Sequence, residues 1–359
     1  MDDGVLAAAA GREKGSGVVS RQGEETTPDP FSLLFLSWTF PALAGGNDSC
    51  HNGTVTVMHY FLPTDPPALA FAARMGDELR PILSLSTTPI LGFDDAAFEQ
   101  RGSTSLLRKQ PVVSMGTGTF LRVLDHCFIV TAAHVIHEIE KKRLSLSIPC
   151  GDPPRPVAFH GRYLLADGIP DLALLHLPSD LIDGLGHRRF LCLADIEFRQ
   201  DLGQGWYFLH GYPSSESHPS KDSLTFTNVT FTHRTGLFSG STAAFPNYDS
   251  NYHLLLDYSG EARDADDGAT GRLPRSLGGI SGSSIWLAFS ERHVMDDWTS
   301  DCAKVVAVET SVYPETKVVQ GTRWAGVAMV LWQNYPEIRD EILAYLPAPL
   351  QKDFRSIGK

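Results

Sequence analysis

The chain is poor in cysteine, in basic clusters and in long apolar runs, and each shortage excludes a class of protein. Its cysteines, Cys50, Cys127, Cys150, Cys192 and Cys302, number 5 in 359 residues, lie far apart and form no CxxC pair. That excludes a zinc ribbon and a dense disulfide framework, and leaves free buried thiols in a reducing compartment as the expectation, with one isolated disulfide as the alternative. Lys and Arg total 30 against 42 Asp and Glu, for a net charge of −12. A phosphate-binding surface needs clustered cations, so no nucleic-acid partner is expected. The one stretch resembling a targeting segment, FSLLFLSWTFPALAG from Phe31 to Gly45, is too short to span a bilayer. Glu24, Glu25 and Asp29 precede it where a signal peptide carries a short basic region. No membrane partner is expected, and a cytoplasmic location is favoured over secretion, which would follow if residues 31–44 acted as a signal segment. HVIHE, from His134 to Glu138, lacks the HExxH order that places two imidazoles on one helix face. His137 is therefore read as a surface residue, and neither metal nor organic cofactor is expected.

With 42% hydrophobic and 20% charged residues, the chain has an ordinary globular composition. Residues 1–30 lack hydrophobic periodicity and read as a disordered tail. Residues 31–85, broken by Pro63, Pro66 and Pro67, form an extension of unassigned structure. From about Pro81 onward, short apolar runs alternate with turn residues, the texture of an all-β sandwich or barrel. Thr119 to Val123 and Cys127 to Thr131 predict a hairpin across Leu124, Asp125 and His126. Further strands are predicted over 157–165, 172–177, 206–210, 224–231, 252–257, 284–289 and 305–310. Only Pro336 to Leu346 reads as helix, with Pro at its start and Ile338, Ile342, Leu343 and Leu346 on one face. Residues 258–272 read as an acidic loop.

Three segments carry chemistry. GTGTFLRVLDHCFIVTAAHVI, Gly116 to Ile136, runs from a Gly-rich strand start through a hairpin into TAAH and ends on His134. GIPDLALLHL, Gly168 to Leu177, sets Asp171 before an apolar strand, with Asp167 as a weaker substitute. LGGISGSSIW, Leu277 to Trp286, offers Ser281 between two glycines, with Ser283 and Ser284 as bystanders. A serine hydrolase needs a base, a carboxylate that orients it, and backbone donors aimed at the developing oxyanion. A histidine, a carboxylate and a glycine-flanked serine supply those residue types.

These segments resemble the trypsin-like serine proteases of bacterial type, in which TAAH carries the general base and GxSG the nucleophile. SGSS is similar to the glutamyl-endopeptidase branch. The order His, Asp, Ser is that of chymotrypsin, unlike subtilisin or the α/β-hydrolases. The resemblance implies two packed antiparallel six-stranded β-barrels with a C-terminal helix, spanning residues 86–350. It implies His134, Asp171 and Ser281 as the catalytic triad, and the N–H groups of Gly279 and Ser281 as the oxyanion hole. Six residues before the nucleophile, Arg275 holds the pocket position and implies preference for acidic side chains, the alternative being a solvated loop arginine. Val308 and Glu309 fall on the strand that flanks the substrate groove, and His210 in FLHGYP reads as structural. Two departures stand out. Val135 replaces the cysteine that follows the histidine in secreted relatives, and Ile280 replaces the aspartate of zymogen activation. Activity without N-terminal cleavage, or switching by a partner or by the chain's own extension, is therefore expected. The function implied is a serine endopeptidase acting on polypeptides through an acyl-enzyme. A catalytically inactive protease-like binding module is the alternative, and an esterase a third reading. The extension is left open as propeptide, inhibitory arm, docking segment for a regulatory partner, or a mispredicted start.

Overall fold

Twelve residues from Val112 to Val123 and seven from His126 to Ala132 are rich in β-branched and aromatic side chains, and they form the central hairpin of the first sheet. The computed structural model describes residues 66–94, 112–151, 154–219, 226–228, 230–245, 247–258, 262–263, 270–271 and 277–357. The readings made for residues 1–65, including Cys50 and the apolar run from Phe31, lie outside these.

The first sheet contains β1 (Thr87–Phe93), β2 (Val112–Val123), β3 (His126–Ala132), β4 (Ser145–Cys150), β5 (Arg155–Ala158), β6 (Tyr163–Ala166) and β7 (Leu172–His176). Its order is β5-β4-β1-β2-β3-β7-β6, and every pairing is antiparallel. The second contains β8 (Gly205–Gly211), β9 (Phe231–Thr235), β10 (His253–Asp257), β11 (Ser284–Ser290), β12 (Lys304–Tyr313) and β13 (Val318–Arg323). Its order is β9-β8-β11-β12-β13-β10, again antiparallel throughout. Each sheet has its own core. Phe120, Ile129, Val135, Ile136 and Leu175 fill the first, and Tyr207, Leu209, Ile280, Ile285 and Val306 the second. The protein is thus mostly β, built on two antiparallel sheets with helix at its C-terminal end, as expected.

The details differ in three ways. The first sheet has seven strands: β1 and β4 have no counterpart among the predicted strands, and the run predicted as one strand over 157–165 is divided into β5 and β6. A Cβ on Gly161 would lie 2.5 Å from the His176 carbonyl oxygen, so the chain turns there against the neighbouring strand. Pro156, which has no N–H to give a ladder, sits on β5, an edge strand. Secondly, the C-terminal end is three helices rather than one: α4 (Trp324–Asn334), α5 (Arg339–Tyr345) and α6 (Ala348–Ile357). In α4, Trp324 and every residue from Val327 to Trp332 are buried, so no polar face marks its helical period in the sequence. Phe354 of α6, fully buried, meets Trp332 edge-on with ring centroids 5.5 Å apart. Thirdly, α1 (Pro66–Ser86) fills the end of the unassigned stretch and runs on past Pro81, where β texture is expected. It buries Met75, Leu79 and Leu83, and sets Phe71 among Trp206, Phe289 and Trp298 with centroids 5.1–5.7 Å apart. A buried phenylalanine contributes about 1.5–3 kcal/mol, so α1 is secured to the second sheet. Of two shorter helices, α2 (Ala133–Lys141) joins β3 to β4 within the first sheet, and α3 (Ser179–Gly184) follows β7 on the way to β8 of the second. Among the described residues no helix is long and apolar enough to cross a membrane.

The four described cysteines are free, with Cys127 and Cys150 buried. Burial pushes the Cys150 thiol up, away from the reactive thiolate.

Candidate active site

His134 stands in the first turn of α2, where β3 ends and the chain turns into helix. Asp171 precedes β7 and has φ +45°, a left-handed conformation that Asp tolerates better than larger side chains. Both its carboxylate oxygens are used by one residue. Oδ1 accepts the His134 backbone N–H at 2.9 Å, and Oδ2 faces the ring Nδ1 at 2.7 Å. The Ala133 N–H adds a bond to the Asp171 carbonyl at 3.1 Å. The bond from Asp171 raises the His134 pKa, partial burial opposes it, and the charges of Asp171, Glu309 and Glu138 reinforce it. With Nδ1 so engaged, Nε2 is the ring nitrogen left without a hydrogen bond among the described residues. The His134 side chain is 44% exposed and so open to a ligand. Asp167 does not compete for it, because it pairs with the exposed His137 at 2.7 Å.

The Ser281 loop leaves the second sheet ahead of β11 and seats on the first. Gly279 has φ +93°, and a Cβ there would lie 2.6 Å from the Ser214 backbone nitrogen and 2.9 Å from the Tyr212 carbonyl oxygen. The Gly-Tyr-Pro turn at Gly211 to Pro213 is thus the surface against which the loop is formed, and Ser214 N–H donates to the Gly278 carbonyl at 2.7 Å. Neither the Gly279 nor the Ser281 backbone N–H has an acceptor among the described residues, so two donors on the loop are free. Ile280, fully buried, fills the second core where a carboxylate would be stranded. Gly116 is held between Val135 and the Ser281 carbonyl oxygen, which brings the His134 turn and the Ser281 loop to the two sides of one residue.

Thr117 makes that junction. Its N–H donates to the Ser281 carbonyl at 2.8 Å, and its hydroxyl donates to the Gly279 carbonyl at 2.9 Å. The same hydroxyl accepts the Tyr212 N–H at 3.0 Å, while the Thr117 carbonyl accepts the Thr131 hydroxyl at 2.7 Å. Sequence reasoning missed this residue, although it lies in the GTGT segment singled out for its glycines.

Glu309 is fully buried beside Ser281, and its carboxyl is electrostatically coupled to His134 and Asp171. The Ser281 hydroxyl is near enough to favour its ionisation, yet outside hydrogen-bond geometry, since both carboxyl oxygens lack a partner. Burial, the dominant influence, pushes this acid up to about 8. Its backbone grips the loop: Gly282 N–H donates to the Glu309 carbonyl, and Glu309 N–H to the Ser283 carbonyl, both at 2.8 Å. Val308 is an interior ladder position between Ser284 and Thr322. Arg275 lies outside the described residues. His210 is fully buried with Nδ1 2.7 Å from the Thr232 hydroxyl, and burial pushes it down to about 4.

Two antiparallel sheets thus bring together a carboxylate-bound histidine, a serine on a glycine-flanked loop and two free amide donors. No protein-family model matches the chain, and no curated protein matches it. Among solved structures, the serine protease domain of the Sesbania mosaic virus polyprotein is 13% identical over 69% of this chain and 91% of its own, with a TM-score of 0.34. The HtrA-type protease AlgW with a decapeptide is 10% identical over 74% of this chain and 68% of its own, with a TM-score of 0.40. Likeness at that level adds nothing to the sheet pairings and side-chain geometry described above.

Proposed function

We propose that the protein is a serine endopeptidase that cleaves polypeptides through an acyl-enzyme. The observation that carries this reading is the pair of hydrogen bonds between Asp171 and His134 at the seat of the Ser281 loop. Asp171 fixes Nδ1 as the protonated nitrogen, so Nε2 is the base that takes the Ser281 proton. The serine oxygen adds to the scissile carbonyl, and His134 returns the proton to the leaving amine. Water repeats the sequence to release the acyl group. The unpaired N–H groups of Gly279 and Ser281 serve as donors to the tetrahedral oxyanion. Val308 and Glu309 support the floor of the site. The substrate backbone pairs further along β12, from Thr310 onward, where the strand has run past the Ser284 end of β11. Neither a metal nor an organic cofactor has a part in these steps.

A fluorophosphonate probe tests this directly, since it phosphonylates only an activated serine. The wild-type protein is expected to take up one label per chain, Ser281→Ala none, and His134→Ala far less. A folded wild-type protein that takes no label would establish the protease-like binding module instead.

Glu309 sets a pH dependence that is independent of turnover. Its folded-state value of about 8 lies above the ordinary carboxyl value of about 4.3, so the folded chain keeps a proton that the unfolded chain releases. Its contribution to stability is therefore lost as pH rises from about 4 to about 8. Glu309→Gln removes that slope. The thermal midpoint of the variant, relative to wild type, is expected to climb across this window and level off above it; parallel curves for the two proteins would refute the assignment.

A further inference from the structure

The loop that carries Asp171 is exposed at Asp167, Gly168 and Ile169, and it has positive φ at both Gly168 (+82°) and Asp171 (+45°). Packing therefore does little to hold it, and a non-glycine residue in a left-handed conformation persists only where neighbours impose it. Three consecutive carbonyls of this loop are hydrogen-bonded. The Ile169 carbonyl faces the Nε2 of His253 at 2.8 Å, and the Pro170 carbonyl accepts the Thr322 hydroxyl at 2.7 Å. The third, that of Asp171, takes the Ala133 N–H from the first sheet. His253 and Thr322 belong to the second sheet, where they are direct partners across β10 and β13. Two adjacent side chains of one sheet thus grip two adjacent carbonyls of a loop that belongs to the other.

We propose that His253 and Thr322 are positioning residues that hold the Asp171 carboxylate in register with the Ser281 loop. This rests on the triad reading of the preceding section. His253 is fully buried, and its Nδ1 accepts the Asp249 N–H at 3.0 Å. The ring proton accordingly resides on Nε2, where the Ile169 bond requires it. Burial lowers the His253 pKa, which keeps this tautomer neutral. Thr322 continues the same row: His253 pairs with Thr322, Thr322 with Val308, and Val308 with Ser284. That row crosses four strands and ends three residues beyond Ser281. The carboxylate, supplied by the first sheet, is therefore referenced to the same rigid ladder that fixes the nucleophile. Neither residue touches the reacting atoms, so each acts only through Asp171.

The test compares wild type with Thr322→Val, which keeps the shape and loses the hydroxyl, with Thr322→Ser, which restores it, and with His253→Leu combined with Thr322→Val. Thermal melts establish that each is folded. The rate constant of fluorophosphonate labelling and its pH profile give one readout, and the low-field proton resonance of His134 Nδ1–H, which needs no turnover, gives a second. The double variant is expected to label about 10- to 100-fold more slowly, the cost of a misplaced catalytic group. Its acid limb should move to lower pH, because the Asp171 bond that raises the His134 pKa is loosened. Thr322→Ser should recover most of the rate that Thr322→Val loses. A folded double variant with an unaltered labelling rate and acid limb would overturn the proposal, as would equal rates for Thr322→Val and Thr322→Ser. A wild-type protein that takes no label refutes the endopeptidase reading and leaves the resonance to decide the clamp. A shifted or broadened signal in the double variant supports it, and an unmoved one refutes it.

Discussion

Asp171→Asn is expected to fold normally and to lose about ten-thousand-fold in turnover. The fold survives because Asn accepts the left-handed backbone at φ +45° as readily as Asp does. The chemistry fails for a reason specific to this carboxylate, whose two oxygens both accept from His134: one from the backbone N–H at 2.9 Å, the other facing the ring Nδ1 at 2.7 Å. An amide has a single acceptor oxygen. The backbone N–H can only donate, so the carboxamide oxygen must face it, and the NH2 group is left against the ring. Nδ1 is then forced to be the acceptor and the proton moves to Nε2, which can no longer take one from Ser281. In the proposed triad, a wrong tautomer with the geometry otherwise intact costs about 10⁴ in turnover. The variant should also lose the leading cause of the raised His134 pKa, so the residual activity extends to lower pH. Steady-state rates beside thermal melts make the check. A folded variant within tenfold of wild type would remove Asp171 from the catalytic role, whereas an unfolded one would contradict the backbone argument.

The parts of this site legible in the sequence are those held by neighbours in the chain. TAAH announces a strand that ends in a turn, and GISGSS needs its glycines for the backbone alone: Gly279 and Gly282 have φ +93° and +89°. Val135 and Ile280, apolar where the resemblance implies a cysteine and an aspartate, are buried in the two cores. What escaped is held over long separations. Thr117 reaches the Ser281 loop across 162 positions, and Thr322 reaches Pro170 across 152. A threonine on a strand gives no local sign that its hydroxyl faces another sheet rather than its own strand neighbours. His253 falls in the strand predicted over 252–257, and a histidine among leucines carries no periodic signal of the tautomer it adopts. Two helices escape the sequence pattern for different reasons. Helix α4 is apolar on nearly every face, whereas α1 opens on Pro66 and Pro67, which are at home in a first turn, and carries Pro81 in its interior, where a proline ordinarily ends a helix. Pattern reading depends on contrast between a wet and a dry face, which the buried α4 does not offer; α1 has that contrast, and its prolines mask it.

Gly282→Ala is expected to be the most destabilising single-methyl change in the molecule's active region, at about 4 kcal/mol or more. Two penalties combine. A φ of +89° disfavours any side chain, at about 1–2 kcal/mol for the left-handed region. In addition, a Cβ at this position would lie 2.1 Å from the Thr117 carbonyl oxygen, 2.1 Å from the Thr131 hydroxyl and 2.9 Å from the Thr131 Cα. Those atoms cannot yield separately, because the Thr131 hydroxyl donates to the Thr117 carbonyl at 2.7 Å and both belong to the paired strands β2 and β3. The clash therefore has two outcomes: the Ser281 loop is expelled from its seat, or the hairpin that carries TAAH is displaced. Either one separates Ser281 from His134. The loop also loses its grip on β12 through the Gly282 N–H bond to Glu309, so a buried and unpaired carboxyl is uncovered at the same time. Gly76→Ala in α1 provides the contrast. Nothing lies within 4 Å of a Cβ added there, and alanine is the better helix former by about 1 kcal/mol. That variant should melt at or slightly above the wild-type temperature, while Gly282→Ala melts roughly 10 °C lower or fails to fold. Near-equal melting of Gly282→Ala and wild type would mean that the loop does not sit on Thr117 and Thr131, and the junction between the two sheets would have to be redrawn.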